Sequence, residues 1–213
     1  MRKAFDPVYL ITGGSAPSGA DTVSSVEKAL MGGVRFVQLR EKGLDAKRLL
    51  KLAHELRALT DGYGARLIIN DRADIALLSG ADGVHLGQRS VAPADARKIL
   101  GHAMLIGVSA HSLKEAVRAC EGGADFITIG PVYSTPSKAP YGKPLGAGVI
   151  KEVKAAVKIP VYAIGGINKD NLNEAVRNGA DGVAVISAIL GSADVEKGAR
   201  EMIAAFRLTK EPI

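Results

Sequence analysis

The sequence holds one cysteine, Cys120, no tryptophan, and an aromatic share of only 4%. A lone cysteine cannot close an internal disulfide and excludes a cysteine-based zinc site. It falls where a helix should end, and reads as a small packing residue rather than a reactive thiol. No apolar run approaches membrane-spanning length, and no N-terminal stretch resembles a secretory signal, so a cytoplasmic chain with no membrane partner is expected. Blocks of one charge are missing too: Lys and Arg never run more than two together and are interspersed with Asp and Glu. Aromatic–basic interleaving, which would give nucleic-acid bases a stacking platform, is absent. Nucleic acid is therefore not expected as a partner. The net charge of +6 suits small anionic substrates instead.

What remains is aliphatic. Hydrophobic residues make up 47% of the 213 positions, enough for one sizeable core, so residues 1–213 are expected to form one domain. With so few aromatics, that core is expected to be Val, Ile, Leu and Ala, a usage that suits buried parallel strands under helices.

Short apolar runs alternate with helical periodicity along the whole chain. Strand candidates are Val8–Thr12 (bounded by Pro7 and Gly13-Gly14), Val34–Arg40, Arg66–Asn70, Gly83–Leu86, Met104–Val108, Asp125–Ile129, Val161–Ile164 and Gly182–Ile186. Helix candidates are Thr22–Met31, Asp45–Leu59, Asp71–Leu78, Pro93–Leu100, Ser112–Cys120, Gly148–Val157, Lys169–Asn178 and Ala193–Phe206. An internal echo marks the joints: Gly80-Ala-Asp82-Gly-Val, Gly123-Ala-Asp125-Phe-Ile and Gly179-Ala-Asp181-Gly-Val, with Gly33-Val-Arg35-Phe-Val as a degenerate copy. The glycine suits a left-handed helix end. The aspartate is expected to satisfy backbone donors in the turn, a structural role. Eight strand–helix units of about 26 residues fit an α/β (β/α)8 TIM barrel. An open doubly wound sheet would usually carry a glycine-rich phosphate fingerprint after its first strand, and the 13–19 stretch matches none.

In such barrels the ligand lies at the carboxyl ends of the strands, which turns the alternation into a list of mouth residues. The second strand delivers Gln38, Arg40 and Lys42 at alternate positions, two cations and an amide suited to a diphosphate, with Glu41 adjacent as a salt-bridge alternative. The third delivers Asn70-Asp71, an oxygen pair suited to Mg2+ or, alternatively, to capping the next helix. His85 and Gln88 follow the fourth strand, Ser109 and His111 the fifth. The histidines read as packed or catalytic with equal reason, whereas His54 and His102 read as surface residues. After the sixth strand comes a long connection, Gly130–Gly146, rich in Pro, Gly, hydroxyls and Lys; a loop that long is usually functional. Its Thr135, Ser137, Lys138 and Lys143 offer donors to a phosphorylated ligand. Gly165-Gly166 and Ile186-Ser187, after the last two strands, occupy the usual phosphate-binding position.

These residues resemble the thiamine phosphate synthases and their thiazole tautomerase relatives. The resemblance runs nearly the whole chain, through Tyr9-Leu-Ile-Thr12, Gln38-Leu-Arg-Glu-Lys42, Ile69-Asn-Asp-Arg72, Asp82-Gly-Val-His-Leu-Gly-Gln88, Gly107-Val-Ser-Ala-His-Ser112, Gly130-Pro-Val-Tyr-Ser-Thr135, Ile164-Gly-Gly-Ile167 and Val185-Ile-Ser-Ala-Ile189. It implies a transferase of thiamine biosynthesis that couples hydroxymethylpyrimidine diphosphate to thiazole phosphate and releases pyrophosphate. By that resemblance Gln38, Leu39, Arg40, Glu41, Lys42, Asn70, Ser109 and Lys138 hold the pyrimidine diphosphate, and Asp71 ligates Mg2+. Thr135, Pro136, Ser137, Gly166, Ile186 and Ser187 hold the thiazole phosphate, with Lys138, Ser109 and Arg40 closest to the chemistry.

Three positions depart from the family pattern. Ser90 stands where a second metal carboxylate is usual, Ser137 where threonine is common, and Gly13 where aspartate follows Thr12. Ser90 favours the tautomerase branch, in which His111 or His85 would move the proton. Pro131 stands where that branch carries a histidine. A non-catalytic thiazole or thiamine phosphate-binding paralogue is the third reading. Barrels of this size often form homo-oligomers, though no segment of the sequence identifies an interface.

Overall fold

Runs rich in Val, Ile and Leu, stopped by glycine, proline or a polar turn, make the strands. Among the residues described by the computed structural model (6–13, 20–135 and 143–210), these are β1 (Val8–Ile11), β2 (Phe36–Leu39), β3 (Arg66–Asn70), β4 (Gly83–Leu86), β5 (Leu105–Ala110), β6 (Phe126–Ile129), β7 (Val161–Ile164) and β8 (Gly182–Val185). Each pairs in parallel with its sequence neighbours and β8 pairs with β1, so the sheet closes into a barrel. The helices are α1 (Ala20–Met31), α2 (Ala46–Gly62), α3 (Ala73–Ser79), α4 (Pro93–Leu100), α5 (Leu113–Glu121), α6 (Gly148–Ala156), α7 (Leu172–Arg177), α8 (Ser187–Leu190) and α9 (Val195–Lys210). This is the expected (β/α)8 TIM barrel. No helix among the described residues is long and apolar enough to cross a membrane.

The differences from expectation have local causes. The second strand begins at Phe36, where pairing with Tyr9 starts, rather than at Val34. The third helix starts at Ala73 because Asp71 and Arg72 are used in a turn. The seventh starts at Leu172, after a turn in which Asn171 Oδ1 accepts from Asn168 N–H and Asn168 Oδ1 from Asp170 N–H. The short α8 was not foreseen. Pro136, Ser137 and Lys138 lie outside the described residues, as does the 14–19 stretch.

The core has two layers of different chemistry. Between sheet and helices it is aliphatic, as expected, with Val37, Leu39, Leu67, Val84, Ile127 and Val183 packed against Leu30, Leu56 and Ile203. The barrel interior corrects the expectation of an aromatic-poor core. Tyr9, Phe36, Phe126 and Tyr162 are all fully buried there, Tyr9 stacking on Phe36 with ring centres 4.2 Å apart and meeting Phe126 edge-on at 5.5 Å. The space comes from glycines on the same inward face. A Cβ on Gly107 would lie 2.3 Å from the Phe126 ring and 2.7 Å from His85 Nδ1, and one on Gly182 would lie 2.3 Å from the Tyr162 ring. A protein low in aromatics has placed four of them together.

At the closed end the echoed aspartates form three equivalent clamps. Asp82 Oδ2 accepts from Leu67 N–H and Arg57, Asp125 Oδ2 from Ile106 N–H and Arg97, and Asp181 Oδ2 from Val161 N–H and Lys154. Each ties its strand to the preceding strand and to the helix before that one. The structural reading of these residues holds.

Candidate active site

The mouth is built from strand ends locked to one another. On β1, Thr12 Oγ1 accepts from Arg40 N–H at 2.9 Å, and its hydroxyl bonds Glu41, so the end of β2 is held against β1. Gly13, with φ of 90°, permits this approach, since a Cβ there would lie 2.4 Å from the Arg40 carbonyl oxygen. The place where aspartate was expected thus requires glycine. Burial raises the Glu41 carboxyl above its usual range, countered by the Thr12 hydrogen bond and by Arg40. Burial also lowers the half-buried Arg40 guanidinium, with Glu41 opposing. Lys42 is exposed at the rim. Gln38 points into the barrel, whereas the Leu39 side chain packs in the layer between sheet and helices.

On β3, Asn70 pairs in register with His85, and Asp71 N–H donates to the His85 carbonyl at 2.9 Å. Asp71 then adopts φ of 66°, and Arg72 N–H bonds back to the Asn70 carbonyl at 2.8 Å. That is a γ-turn of the rare positive-φ kind, and among the described residues Asp71 alone is a non-glycine with positive φ. Left-handed backbone at a non-glycine residue costs of order 1 kcal/mol and concentrates at functional sites. The capping alternative for Asp71 fails: the position before α3 is Arg72, which makes no side-chain cap bond and instead pairs with Asp74.

Below this rim runs a buried polar line. Gln38 Nε2 donates to the Tyr9 hydroxyl at 2.7 Å, the hydroxyl lies 3.3 Å from His85 Nδ1, and His85 Nε2 lies 3.0 Å from Ser109 Oγ. Burial, with the positive charge of Arg40 adding to it, pushes the His85 pKa down to about 3, so the ring is neutral in use. Burial likewise raises the Tyr9 phenol well above its usual value. His85 is therefore a packed residue with both ring nitrogens engaged. His111 differs: it is exposed and bonds Glu115 Oε2 through its backbone N–H and, at 3.3 Å, its Nδ1. Gln88 Nε2 donates to that same carboxylate and to the Ser109 carbonyl, both at 2.9 Å. Ser90 Oγ accepts from Gly87 N–H at 2.7 Å, which closes the loop after β4 on itself.

Both stems of the long loop are anchored. Val132 N–H donates to the Ile164 carbonyl and Tyr133 N–H to the Gly165 carbonyl, while Leu145 and Gly146 N–H donate to the carbonyls of Pro131 and Val132. Gly165 and Gly166 serve this seating. A Cβ on Gly165 would lie 2.6 Å from Pro131, and one on Gly166 2.8 Å from Tyr133 and the Ser134 carbonyl. Thr135 is half-buried beside them, and Ile186 and Ser187 lead directly into α8. Gln38, Arg40, Asn70, Asp71, Ser109, Thr135 and Gly166 thus sit at one end of the barrel. Gln88, expected at the mouth, belongs to the same polar surroundings; Tyr9, Thr12 and Thr128, which belong there too, were missed as site residues by sequence reading. Inward alternation on β1 and β6 was the signal that could have found Tyr9 and Thr128.

Residues 8–189 match the family described as thiamine monophosphate synthase. The chain belongs to the thiamine monophosphate synthase family. It is 52% identical over 204 residues to a Geobacter sulfurreducens protein provisionally called thiamine-phosphate synthase, with 96% of each chain covered. It is 41% identical to the thiamine-phosphate synthase of Chloroflexus aurantiacus, covering 96% of this chain and 94% of that one. Among solved structures it resembles a thiamine phosphate pyrophosphorylase from Pyrococcus furiosus, at a TM-score of 0.88 and 36% identity, covering 96% of this chain and 97% of the other. The synthase-family resemblance read from the motifs is therefore correct.

Proposed function

We propose that this protein is a thiamine-phosphate synthase, a transferase coupling hydroxymethylpyrimidine diphosphate to thiazole phosphate with release of pyrophosphate. The observation that carries this reading is similarity to proteins of that name over 96% of the chain, at 52% and 41% identity. The mouth supplies suitable chemistry. Arg40 and Lys42 offer cationic donors to a diphosphate, with Lys138, outside the described residues, proposed as a third. Asn70, Ser109 and Gln38 offer neutral donors and acceptors to the pyrimidine. Thr135, Pro136, Ser137, Gly166, Ile186 and Ser187 are proposed to hold the thiazole phosphate, and Leu39 contributes through its backbone.

Asp71 fits a magnesium ion in one specific way. Among the described residues no three His, Cys, Asp or Glu side chains converge. Asp71 is a single hard carboxylate, exposed on a fixed turn. Mg2+ is commonly held by one or two carboxylates with water and substrate phosphates completing the shell. When bound, the ion would neutralise charge on the departing diphosphate. The protein's own groups do the rest: Arg40 offers positive charge to the departing diphosphate, Lys138 is proposed to add its own, Ser109 orients the pyrimidine, and the loop stems keep the two substrates beside each other. A cytoplasmic location and assembly into homo-oligomers remain part of this reading.

Supplying both substrates with Mg2+ and following thiamine phosphate by its oxidised fluorescence tests the proposal. Product should form, Asp71→Ala should abolish it, and Ser90→Asp should lower the Mg2+ needed, since a carboxylate there can retain the bond from Gly87 N–H. Isomerised thiazole accumulating without thiamine phosphate would replace the synthase by the tautomerase. Binding without turnover would leave the phosphate-binding paralogue.

A further inference from the structure

Gln38, Tyr9, His85 and Ser109 form an unbroken line of hydrogen bonds through the barrel interior to the mouth. We propose that this line has one direction, set by the Gln38 amide, and that Tyr9 and His85 are positioning residues that leave the Ser109 hydroxyl proton free for the ligand.

The argument is a count of donors. Gln38 Nε2 donates to the Tyr9 oxygen at 2.7 Å. Tyr9 is fully buried, so its own proton needs an acceptor, and among the described residues His85 Nδ1 at 3.3 Å is the one in reach. A bare Nδ1 puts the imidazole proton on Nε2, which donates to Ser109 Oγ at 3.0 Å. Ser109 Oγ, having accepted, keeps its own proton to give. Thr128 Oγ1, 3.5 Å from both Nε2 and Oγ, is too distant to displace that bond. The reverse tautomer would give the Tyr9 oxygen two N–H donors and strand its buried proton, an arrangement native interiors avoid.

The ring is closely packed in this orientation: a Cβ on Gly107 would lie 2.7 Å from Nδ1. Half-exposed Ser109 therefore presents a donor to an acceptor atom, a ring nitrogen or a phosphate oxygen, rather than an acceptor to a donor. Which ligand it meets rests on the synthase reading; the direction of the line is a property of the free protein.

Nitrogen-15 NMR of His85 in the free protein reads the tautomer. The expected state has Nε2 protonated and Nδ1 bare. Gln38→Glu replaces the donor with an acceptor, so Tyr9 should turn its proton to the new carboxylate and His85 should move its proton to Nδ1. In turnover, Tyr9→Phe should lower kcat about five- to tenfold, the value of one neutral hydrogen bond. Added to Ser109→Ala, it should cost nothing further. A wild-type His85 protonated on Nδ1, or losses that add in the Tyr9→Phe, Ser109→Ala pair, would overturn the proposal. Should the protein make no thiamine phosphate, the synthase reading fails while the nitrogen-15 spectra still decide the direction.

Discussion

Removing the carboxylate of Asp125 separates the two things it does. Its Oδ2 accepts from Ile106 N–H at 2.8 Å and from Arg97 Nη2 at 2.6 Å. In Asp125→Ala the Ile106 N–H, in a fully buried residue, loses its acceptor, a loss of about 1–3 kcal/mol. The ion pair is partly solvated, its side chains 17% and 37% exposed, and adds about 1 kcal/mol at most. The sum is about 1–4 kcal/mol, and at roughly 2–4 °C per kcal/mol for a chain of this size, Tm should fall by about 2–16 °C. Asp125→Asn keeps an oxygen for Ile106 and loses only the charge, so about 2–4 °C is expected. Scanning calorimetry with a parallel urea titration measures both. KM for either substrate should not change, because the clamp lies at the end of the barrel away from the mouth. If alanine and asparagine cost the same, the backbone acceptor is not what matters. If alanine costs less than about 1 kcal/mol, the clamp is an ornament of the turn.

Three further outcomes follow from the geometry. Asp71→Gly removes a left-handed side-chain penalty and should stabilise the fold by up to about 1 kcal/mol in chemical unfolding while abolishing thiamine phosphate formation. Gly165→Ala, forced to φ of 97° with its Cβ 2.6 Å from Pro131, should cost about 2–3 kcal/mol and unseat the loop stem, seen as a lower Tm and a raised KM for the thiazole phosphate. The His85 pKa lies near 3 in the folded protein against 6.5 unfolded, so unfolding takes up a proton between those values. Through this group stability should decline as pH falls through that window, by up to about 1.4 kcal/mol per unit, and His85→Gln should flatten that part of the urea-measured curve.

The architecture was legible because its punctuation is local. Arg66–Asn70, Gly83–Leu86, Pro93–Leu100 and Val161–Ile164 were read to the residue, each bounded by glycine, proline or a polar turn. Where pairing rather than composition sets the limit, the reading overran, as at Val34 and Arg35 before β2. Four-residue α8 is too short to show a period. The aromatic interior was missed because a share of 4% says nothing about placement, although Tyr9, Phe36, Phe126 and Tyr162 all fall on the inward alternation of their strands. At the mouth, residue types were legible from the strand-end rule. The turn that singles out Asp71 was not, since a neighbour's carbonyl imposes its φ. The Tyr9–His85 contact joins positions 76 apart in sequence, which no local pattern can show.

The aspartate clamps have a consequence for how the ring is assembled. Each one joins partners only 25, 28 or 27 residues apart, so each can form inside its own stretch of chain before the circle exists. The degenerate copy carries Arg35, which bonds the carbonyls of Leu30 and Val34 instead of reaching across. Three quarters of the circumference is thereby riveted from within, and the remaining long-distance event is β8 meeting β1.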